Sequence, residues 1–132
     1  MVTGDENIAK GDFNLINGKL NLIDGNGNAI MEGINNKVKG GLNFVTGDHN
    51  GIRGDRSIVE GDQNYIDGDQ NSASGNRNVF KGDENVILGD DNKAFGDRNN
   101  MMGNKNGAKG DGNTIFGDKN MALGDGNSIT GN

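Results

Sequence analysis

The sequence predicts an all-β fold, a parallel β-solenoid (β-roll) in which two heptads, or fourteen residues, complete one coil. Nineteen glycines from Gly4 to Gly131 lie on one seven-residue lattice that slips once. When glycine is numbered position 0, position 3 is asparagine in every complete heptad except one, where Ser57 replaces it. Position 5 is apolar in all eighteen complete heptads. Such a strict, short period is typical of structural units that stack on one another.

The composition favours a solenoid over an ordinary globular core. Of the 132 residues, 25 are glycine and only 30% are hydrophobic, and the chain contains neither proline nor cysteine. A solenoid needs only one or two inward side chains per step, and the absence of proline suits continuous backbone pairing. No apolar run is long enough to cross a membrane, which predicts no membrane insertion. We expect residues 1–132 to form a single uncapped domain of about 18–19 heptad repeats.

Each heptad is predicted to contain a short strand over positions 3 to 6. A helix is excluded because glycine in every heptad would cost about 1 kcal/mol each. Positions 3 and 5 have the same parity, so asparagine and the apolar residue point inward while positions 4 and 6 point outward. The Gly-Asp-x sequence then forms the turn.

The length of one coil follows from the size of the apolar residues. From Ile87 onward, large residues alternate with alanine at position 5, as two facing sheets with a narrow, dense interior require. The alternative is a three-sided β-helix with 21 residues per coil. The heptad that begins at Gly25 has eight residues, which predicts a one-residue bulge near residues 30–32.

Two inward columns are predicted from this arrangement. Buried amides need partners, and stacked asparagines supply them from the coils above and below. The predicted structural ladder consists of Asn64, Asn71, Asn78, Asn85, Asn92, Asn99, Asn106, Asn113 and Asn120. The predicted core consists of Ile66, Phe80, Ile87, Ala94, Met101, Ala108, Ile115, Ala122 and Ile129.

Aspartate at position 1 has two interpretations. Stacked carboxylates repel, so each either accepts backbone N–H groups within its own turn or binds a cation. Clustered oxygens suit Ca²⁺, so calcium is the one cofactor that the pattern suggests. The candidate calcium column consists of Asp55, Asp69, Asp83, Asp97, Asp111 and Asp125.

Outward apolar residues predict an interface, because exposed apolar rows usually mark contact surfaces. We expect the partner to be a second copy of the chain, in a homotrimer or a head-to-tail filament, since both ends of the repeat are open strand edges. The predicted interface consists of Leu15, Leu22, Phe44, Leu88, Phe95, Met102, Phe116 and Leu123.

The segments Asn120–Gly131 and Lys93–Gly96 resemble the head repeats of YadA-like trimeric autotransporter adhesins. The resemblance implies a β-roll, a homotrimer and adhesion to a surface or matrix ligand, and therefore an extracellular or cell-surface location. The asparagine at position 3 and the aspartate at position 1 depart from the adhesin pattern. Because no signal peptide precedes the repeat, a virion fibre or a cytoplasmic protein is the alternative.

The sequence favours a non-catalytic function. The single histidine, His49, lies in a turn, and the acidic residues recur as a lattice without converging. A self-associating structural or adhesive fibre is the first prediction; a calcium-dependent binding module and an acidic DNA mimic are the alternatives. The net charge of −6 disfavours nucleic-acid binding. Ice binding, which would favour rows of threonine, is disfavoured because Thr3, Thr46, Thr114 and Thr130 form no row.

Overall fold

The computed structural model describes residues 1–131 as nineteen short strands in two parallel sheets. Asn132, the last residue of the predicted domain, lies outside the described residues. The odd sheet contains β1 (Val2–Thr3), β3 (Leu15–Lys19), β5 (Ala29–Ile34), β7 (Phe44–Thr46), β9 (Ile58–Glu60), β11 (Ser72–Ser74), β13 (Val86–Leu88), β15 (Asn100–Met102), β17 (Thr114–Phe116) and β19 (Ser128–Thr130). The even sheet contains β2 (Ile8–Lys10), β4 (Leu22–Asp24), β6 (Lys37–Lys39), β8 (Gly51–Arg53), β10 (Tyr65–Asp67), β12 (Val79–Lys81), β14 (Lys93–Phe95), β16 (Gly107–Lys109) and β18 (Met121–Leu123).

The strand register confirms the coil of fourteen residues. Ile87 pairs with Ala73 on one side and with Met101 on the other, and all three belong to the odd sheet. Successive heptads therefore alternate between the two sheets, and every strand pairs with the next strand but one. The three-sided alternative of 21 residues per coil is wrong, because it would pair strands three heptads apart.

Each strand contributes one side chain, that of position 5, to the core between the two sheets. Ile87, Met101 and Ile115 enter from the odd sheet, while Ala94 and Ala108 enter from the even sheet, and all five are buried. Where Ala73 stands in the odd sheet, Phe80 supplies the volume from the even sheet. Large residues on one wall thus fill the space that small residues leave on the other. All nine predicted core residues occupy this seam, with Ile129 only partly buried at its end.

The asparagines of position 3 form a hydrogen-bonded ladder beside the core. The Asn78 backbone N–H and the Asn78 Nδ2 both donate to Asn64 Oδ1, at 3.0 and 3.1 Å. Asn78 Nδ2 also donates to the Gly89 carbonyl, at 2.8 Å. Asn78 Oδ1 in turn accepts from the backbone N–H and Nδ2 of Asn92. Each amide therefore joins the coils before and after its own, and no buried side-chain N or O atom among residues 1–131 lacks a partner.

All nine asparagines of the predicted ladder take part in these bonds. Those from Asn64 to Asn113 are buried, and Asn120 near the end of the roll is half-buried. Ser57 is the exception within the column. It is fully buried, and its hydroxyl oxygen accepts the Asn71 N–H over a longer distance of 3.3 Å.

The turns require glycine at position 0 for a steric reason. At Gly89, φ is +126°, and a Cβ atom there would overlap the carbonyl oxygen of Gly103 in the next coil. Position 2 also has positive φ, near +60°, although most residues there are not glycine. Backbone hydrogen bonds between coils hold this conformation. The Arg98 N–H, for example, donates to the Asp83 carbonyl at 2.9 Å.

The eight-residue heptad contains a β-bulge. Asn17 pairs with Met31 while the next residue, Gly18, pairs with Gly33, so Glu32 is the extra residue. Its φ of +54° and its exposure place its side chain outside the roll. Pairing resumes on both sides, and the ladder spans the interruption because Asn36 still donates to Asn21.

Ser57 interrupts the asparagine ladder, and this gap predicts a stabilising substitution. Ser57→Asn would add an Nδ2 group able to donate to Asn43 Oδ1 and to the Gly68 carbonyl, as its neighbours do in their own coils. We expect the free energy of unfolding to rise by about 1 kcal/mol, measured by chemical denaturation. The reverse change, Asn92→Ala, should lower it by about 1–3 kcal/mol because neighbouring groups lose their partners. A Ser57→Asn protein no more stable than the parent would contradict the role given to the ladder.

Candidate functional site

The roll presents two outward faces, which are its candidate functional surfaces. In each strand, positions 4 and 6 flank the buried position 5 and point away from the core. Because heptads alternate between sheets, the outward residues of odd and even strands lie on opposite sides of the rod. The two sets differ in chemistry.

The odd sheet carries what we call the neutral face. It contains a single charged residue, Glu60, among nineteen outward positions. The neutral face consists of Thr3, Leu15, Asn17, Ala29, Met31, Phe44, Thr46, Ile58, Glu60, Ser72, Ser74, Val86, Leu88, Asn100, Met102, Thr114, Phe116, Ser128 and Thr130.

Side-chain hydroxyls are concentrated on the neutral face. All four threonines of the chain lie there, as do Ser72, Ser74 and Ser128, while the remaining serine is the buried Ser57. Thr3, Thr46 and Thr130 share the position 6 column. No two threonines are adjacent in register, since Asn17 and Met31 lie between Thr3 and Thr46, so they form no continuous row, as the sequence indicated. They nevertheless fall on one sheet once odd and even heptads are separated.

The apolar side chains of the neutral face are evenly exposed along its length. Its large apolar side chains have similar exposed fractions, from 36% at Met31 to 50% at Ile58. No outward position on this face is glycine, so the two side-chain columns have no gaps. Stacked neighbours shield one another to a similar degree, which gives an even surface.

The even sheet carries what we call the basic face. Seven of its eighteen outward residues are lysine or arginine and two are aspartate. Two glycines, Gly51 and Gly107, interrupt the position 4 column. The basic face consists of Ile8, Lys10, Leu22, Asp24, Lys37, Lys39, Gly51, Arg53, Tyr65, Asp67, Val79, Lys81, Lys93, Phe95, Gly107, Lys109, Met121 and Leu123.

The predicted apolar interface is divided between these faces. Five of its eight residues lie on the neutral face and three, Leu22, Phe95 and Leu123, lie on the basic face. The position 6 row that looked continuous in the sequence is therefore two rows on opposite sides of the rod. On the neutral face Leu88, Met102 and Phe116 are adjacent in register. On the basic face Lys109 separates the other two.

The aspartates of position 1 also form ladders, although between coils rather than within one turn. The Asp83 N–H donates to Asp97 Oδ1 at 2.8 Å, and the Asp97 N–H donates to Asp111 Oδ1 at 2.9 Å. The expectation that each carboxylate caps its own turn is wrong, because the nearest free N–H belongs to the coil fourteen residues earlier. All six carboxylates of the candidate calcium column, from Asp55 to Asp125, accept such a bond.

The same bond is made by neutral side chains. In the column of turns on the other edge, Asn76 and Asn104 alternate with aspartates, and Asn104 Oδ1 accepts the Asp90 N–H at 2.8 Å. Position 1 therefore needs an oxygen acceptor more than a negative charge. Within residues 1–131, no three His, Cys, Asp or Glu side chains converge as metal ligands.

The remaining charged groups lie in the turns. Arg77 and Asp91 form an ion pair in which Nε and Oδ1 are 2.7 Å apart. The hydrogen bond from Arg77 lowers the pKa of the Asp91 carboxyl, and its reciprocal raises the pKa of Arg77. His49 is exposed at position 2 of a turn with φ of +60°. The part of the chain that the structure describes contains no helix long and apolar enough to cross a membrane.

One comparison with known proteins gives a family. The model of a family described as "Grass antifreeze beta roll" matches residues 1–89. No curated protein matches the chain. The match supports the β-roll that the resemblance to adhesin heads implied, and it gives a different family from those adhesins.

The acceptor role of position 1 predicts the effect of removing its charge. Asp97→Asn keeps Oδ1 and relieves repulsion with Asp83 and Asp111, so we expect unchanged or slightly higher stability. Asp97→Ala leaves the Asp83 N–H without this acceptor and should cost about 1 kcal/mol. Thermal melting of both variants, with EDTA and with calcium, provides the measurement. If calcium stabilises the parent protein and Asp97→Asn abolishes that effect, the carboxylates bind calcium and the acceptor role is insufficient.

Proposed function

The chain belongs to the grass antifreeze β-roll family, and we propose from that premise that it binds ice through the neutral face. The observation that carries the proposal is the segregation of side chains between the sheets. One side of the rod presents hydroxyls, amides and apolar groups with a single carboxylate, and the other presents nine charged groups.

Absence of charge matters because charged groups hold their own hydration shells. Lysine and carboxylate side chains orient nearby water around themselves, and stripping that water is costly. Hydroxyl and amide groups can hydrogen-bond to water that is already part of a lattice, and bridging waters count almost as direct bonds. Apolar groups between them impose no competing orientation. The neutral face therefore suits an ordered water surface better than the basic face does.

Regular spacing and stiffness support the same assignment. Neighbouring coils repeat at about 4.8 Å, and positions 4 and 6 of one strand are about 6.6 Å apart. The two columns of the neutral face therefore form a two-dimensional array. Threonine, valine and isoleucine have restricted χ1 rotamers, so groups such as Thr46 and Val86 lose little freedom on binding a crystalline surface.

The proposed function is non-catalytic and extracellular. The hydroxyls of the array recur along the face, and the only histidine of the sequence is the turn residue His49. An extracellular location suits a protein that meets ice outside the cell, and it retains the location implied by the resemblance to surface adhesins.

A second charge near the middle of the neutral face, where Glu60 is the only one in the parent protein, should disrupt ice binding. Ser72 occupies position 4 of β11, near the centre of the odd sheet. Ser72→Lys adds a long, hydrated cation to this face, and we expect most of the thermal hysteresis to be lost. The measurement is thermal hysteresis and partition into growing ice, at equal protein concentration.

Val79 provides the matched control. It occupies position 4 of β12, one heptad later and on the opposite sheet, and Val79→Lys makes the same change in net charge. We expect that variant to retain its activity while melting like Ser72→Lys. Equal activity in the two variants would refute the assignment to the neutral face, and no activity in the parent protein would refute ice binding.

Self-association is the second candidate, favoured by one apolar row. Leu88, Met102 and Phe116 lie side by side on β13, β15 and β17, each with about 40% of its surface exposed. A second copy of the chain could cover this row and form a structural rod. Because the row belongs to the neutral face, such a contact would compete with ice.

Sedimentation velocity over a range of concentrations tests this candidate. If the row is an interface, the parent protein forms dimers or larger species, and Met102→Ser returns it to the monomer. If the row serves ice binding alone, the parent sediments as a monomer throughout. Met102→Ser then lowers thermal hysteresis without changing sedimentation.

A further inference from the structure

The charges of this acidic protein are unevenly divided among its surfaces. Seven of the thirteen lysines and arginines lie on the basic face, together with two of the nineteen carboxylates. The neutral face has one carboxylate. The turns and the bulge carry the other sixteen carboxylates and the remaining six basic residues. The net charge of −6 therefore conceals a surface with an excess of five positive charges.

The cations of the basic face are available to a partner. All seven side chains are exposed. The two ion pairs of residues 1–131, Lys19–Asp5 and Arg77–Asp91, involve no residue of the basic face. The basic residues of the face are Lys10, Lys37, Lys39, Arg53, Lys81, Lys93 and Lys109.

Exposed apolar side chains stand among these cations. Leu22, Tyr65 and Phe95 are 40%, 41% and 39% exposed between the basic residues. Ile8, Met121 and Leu123 are more exposed because they lie on the first and last strands of the sheet, where only one neighbouring strand covers them. Near the end of the sheet, the missing side chain of Gly107 leaves an apolar notch of about 280 Å³. Lys93 and Lys109 also line this notch. Cations and protruding apolar groups thus share one plane.

We propose that the basic face binds the surface of an anionic lipid bilayer. Lysine and arginine attract anionic headgroups, and apolar side chains in the same plane can enter the boundary between headgroups and acyl chains. Cations and apolar side chains are spread along the sheet, so the whole length of the face can meet a membrane. A soluble polyanion would use the cations alone and would leave Leu22, Tyr65 and Phe95 exposed.

The acidic turns limit this binding to one orientation. They border the basic face on both sides, so the field of the whole protein is repulsive at a distance. At physiological ionic strength the Debye length is about 8 Å, and attraction therefore operates only when the basic face is in contact with the membrane. The rod would lie on the bilayer with its neutral face directed toward water. Lipid binding is independent of ice binding, since the two use opposite faces.

Vesicle co-sedimentation with the full chain tests the proposal. The parent protein should bind phosphatidylcholine vesicles that contain phosphatidylserine, less so at high salt, and should not bind vesicles of phosphatidylcholine alone. Replacement of Lys37, Lys39, Arg53 and Lys81 by glutamine removes four cations from the face. We expect partition to fall by roughly six hundredfold, on the basis of about a fivefold contribution from each of the four cations.

The turns provide a control with the same change in net charge. Arg56, Arg98, Lys105 and Lys119 occupy position 2 with positive φ, where glutamine already stands at Gln63 and Gln70. Their replacement by glutamine should leave vesicle binding within a fewfold of the parent. Equal loss in both variants would overturn the proposal, as would no binding of the parent to anionic vesicles.

A soluble polyanion supplies the remaining test. If the parent protein binds dextran sulfate and ignores anionic vesicles, the ligand is a polyanion and the lipid proposal is wrong. Thermal hysteresis of both four-residue variants should equal that of the parent. Failure of lipid binding therefore remains distinguishable from failure of ice binding.

Discussion

The structure depends on the satisfaction of a buried amide in most of its heptads. An asparagine side chain has two donors and an acceptor, and an isolated one would be costly to bury. Asn78 meets this requirement only because Asn64 lies one coil before it, and Asn92 and Gly89 lie in the coil after it. The bonds fix the coil at fourteen residues. They also bring every outward position into register with its counterparts, so the two faces are consequences of the ladder.

Much of the fold could be predicted from the sequence because positions 3 and 5 repeat. The strands, the two sheets, the alternating core at Ile87 and Ala94 and the position of the bulge all depend on these columns and on glycine. The hydrogen bonds and backbone conformations of the turns were harder to predict. The link from Asp83 to Asp97 depends on which N–H group lies closest across two coils, and a heptad pattern alone does not contain that information. Positive φ at residues such as Arg98 could not be predicted from residue type, because backbone hydrogen bonds between coils impose it.

The faces were missed for a different reason. Positions 4 and 6 look variable when all heptads are aligned, since each column then mixes residues from two sheets. When the heptads are aligned with a period of fourteen residues, one side of the rod carries Thr46 and Ser74 and the other carries Lys39 and Lys81. The alternation of core residues already indicated that alignment. The net charge concealed the basic face in the same way. It sums the charges of this face with those of the turns, whose carboxylates accept hydrogen bonds from backbone N–H groups.

The charge around the neutral face favours a crystalline ligand over a second protein. The turns on both sides of this face carry a large excess of carboxylates, so two copies placed face to face would bring like charges together. Ice presents no such charges, and a face that the ladder already orders has little conformational entropy to lose. The thin core leaves positions 4 and 6 free of packing constraints, which allows the two faces to differ in chemistry on a single fold.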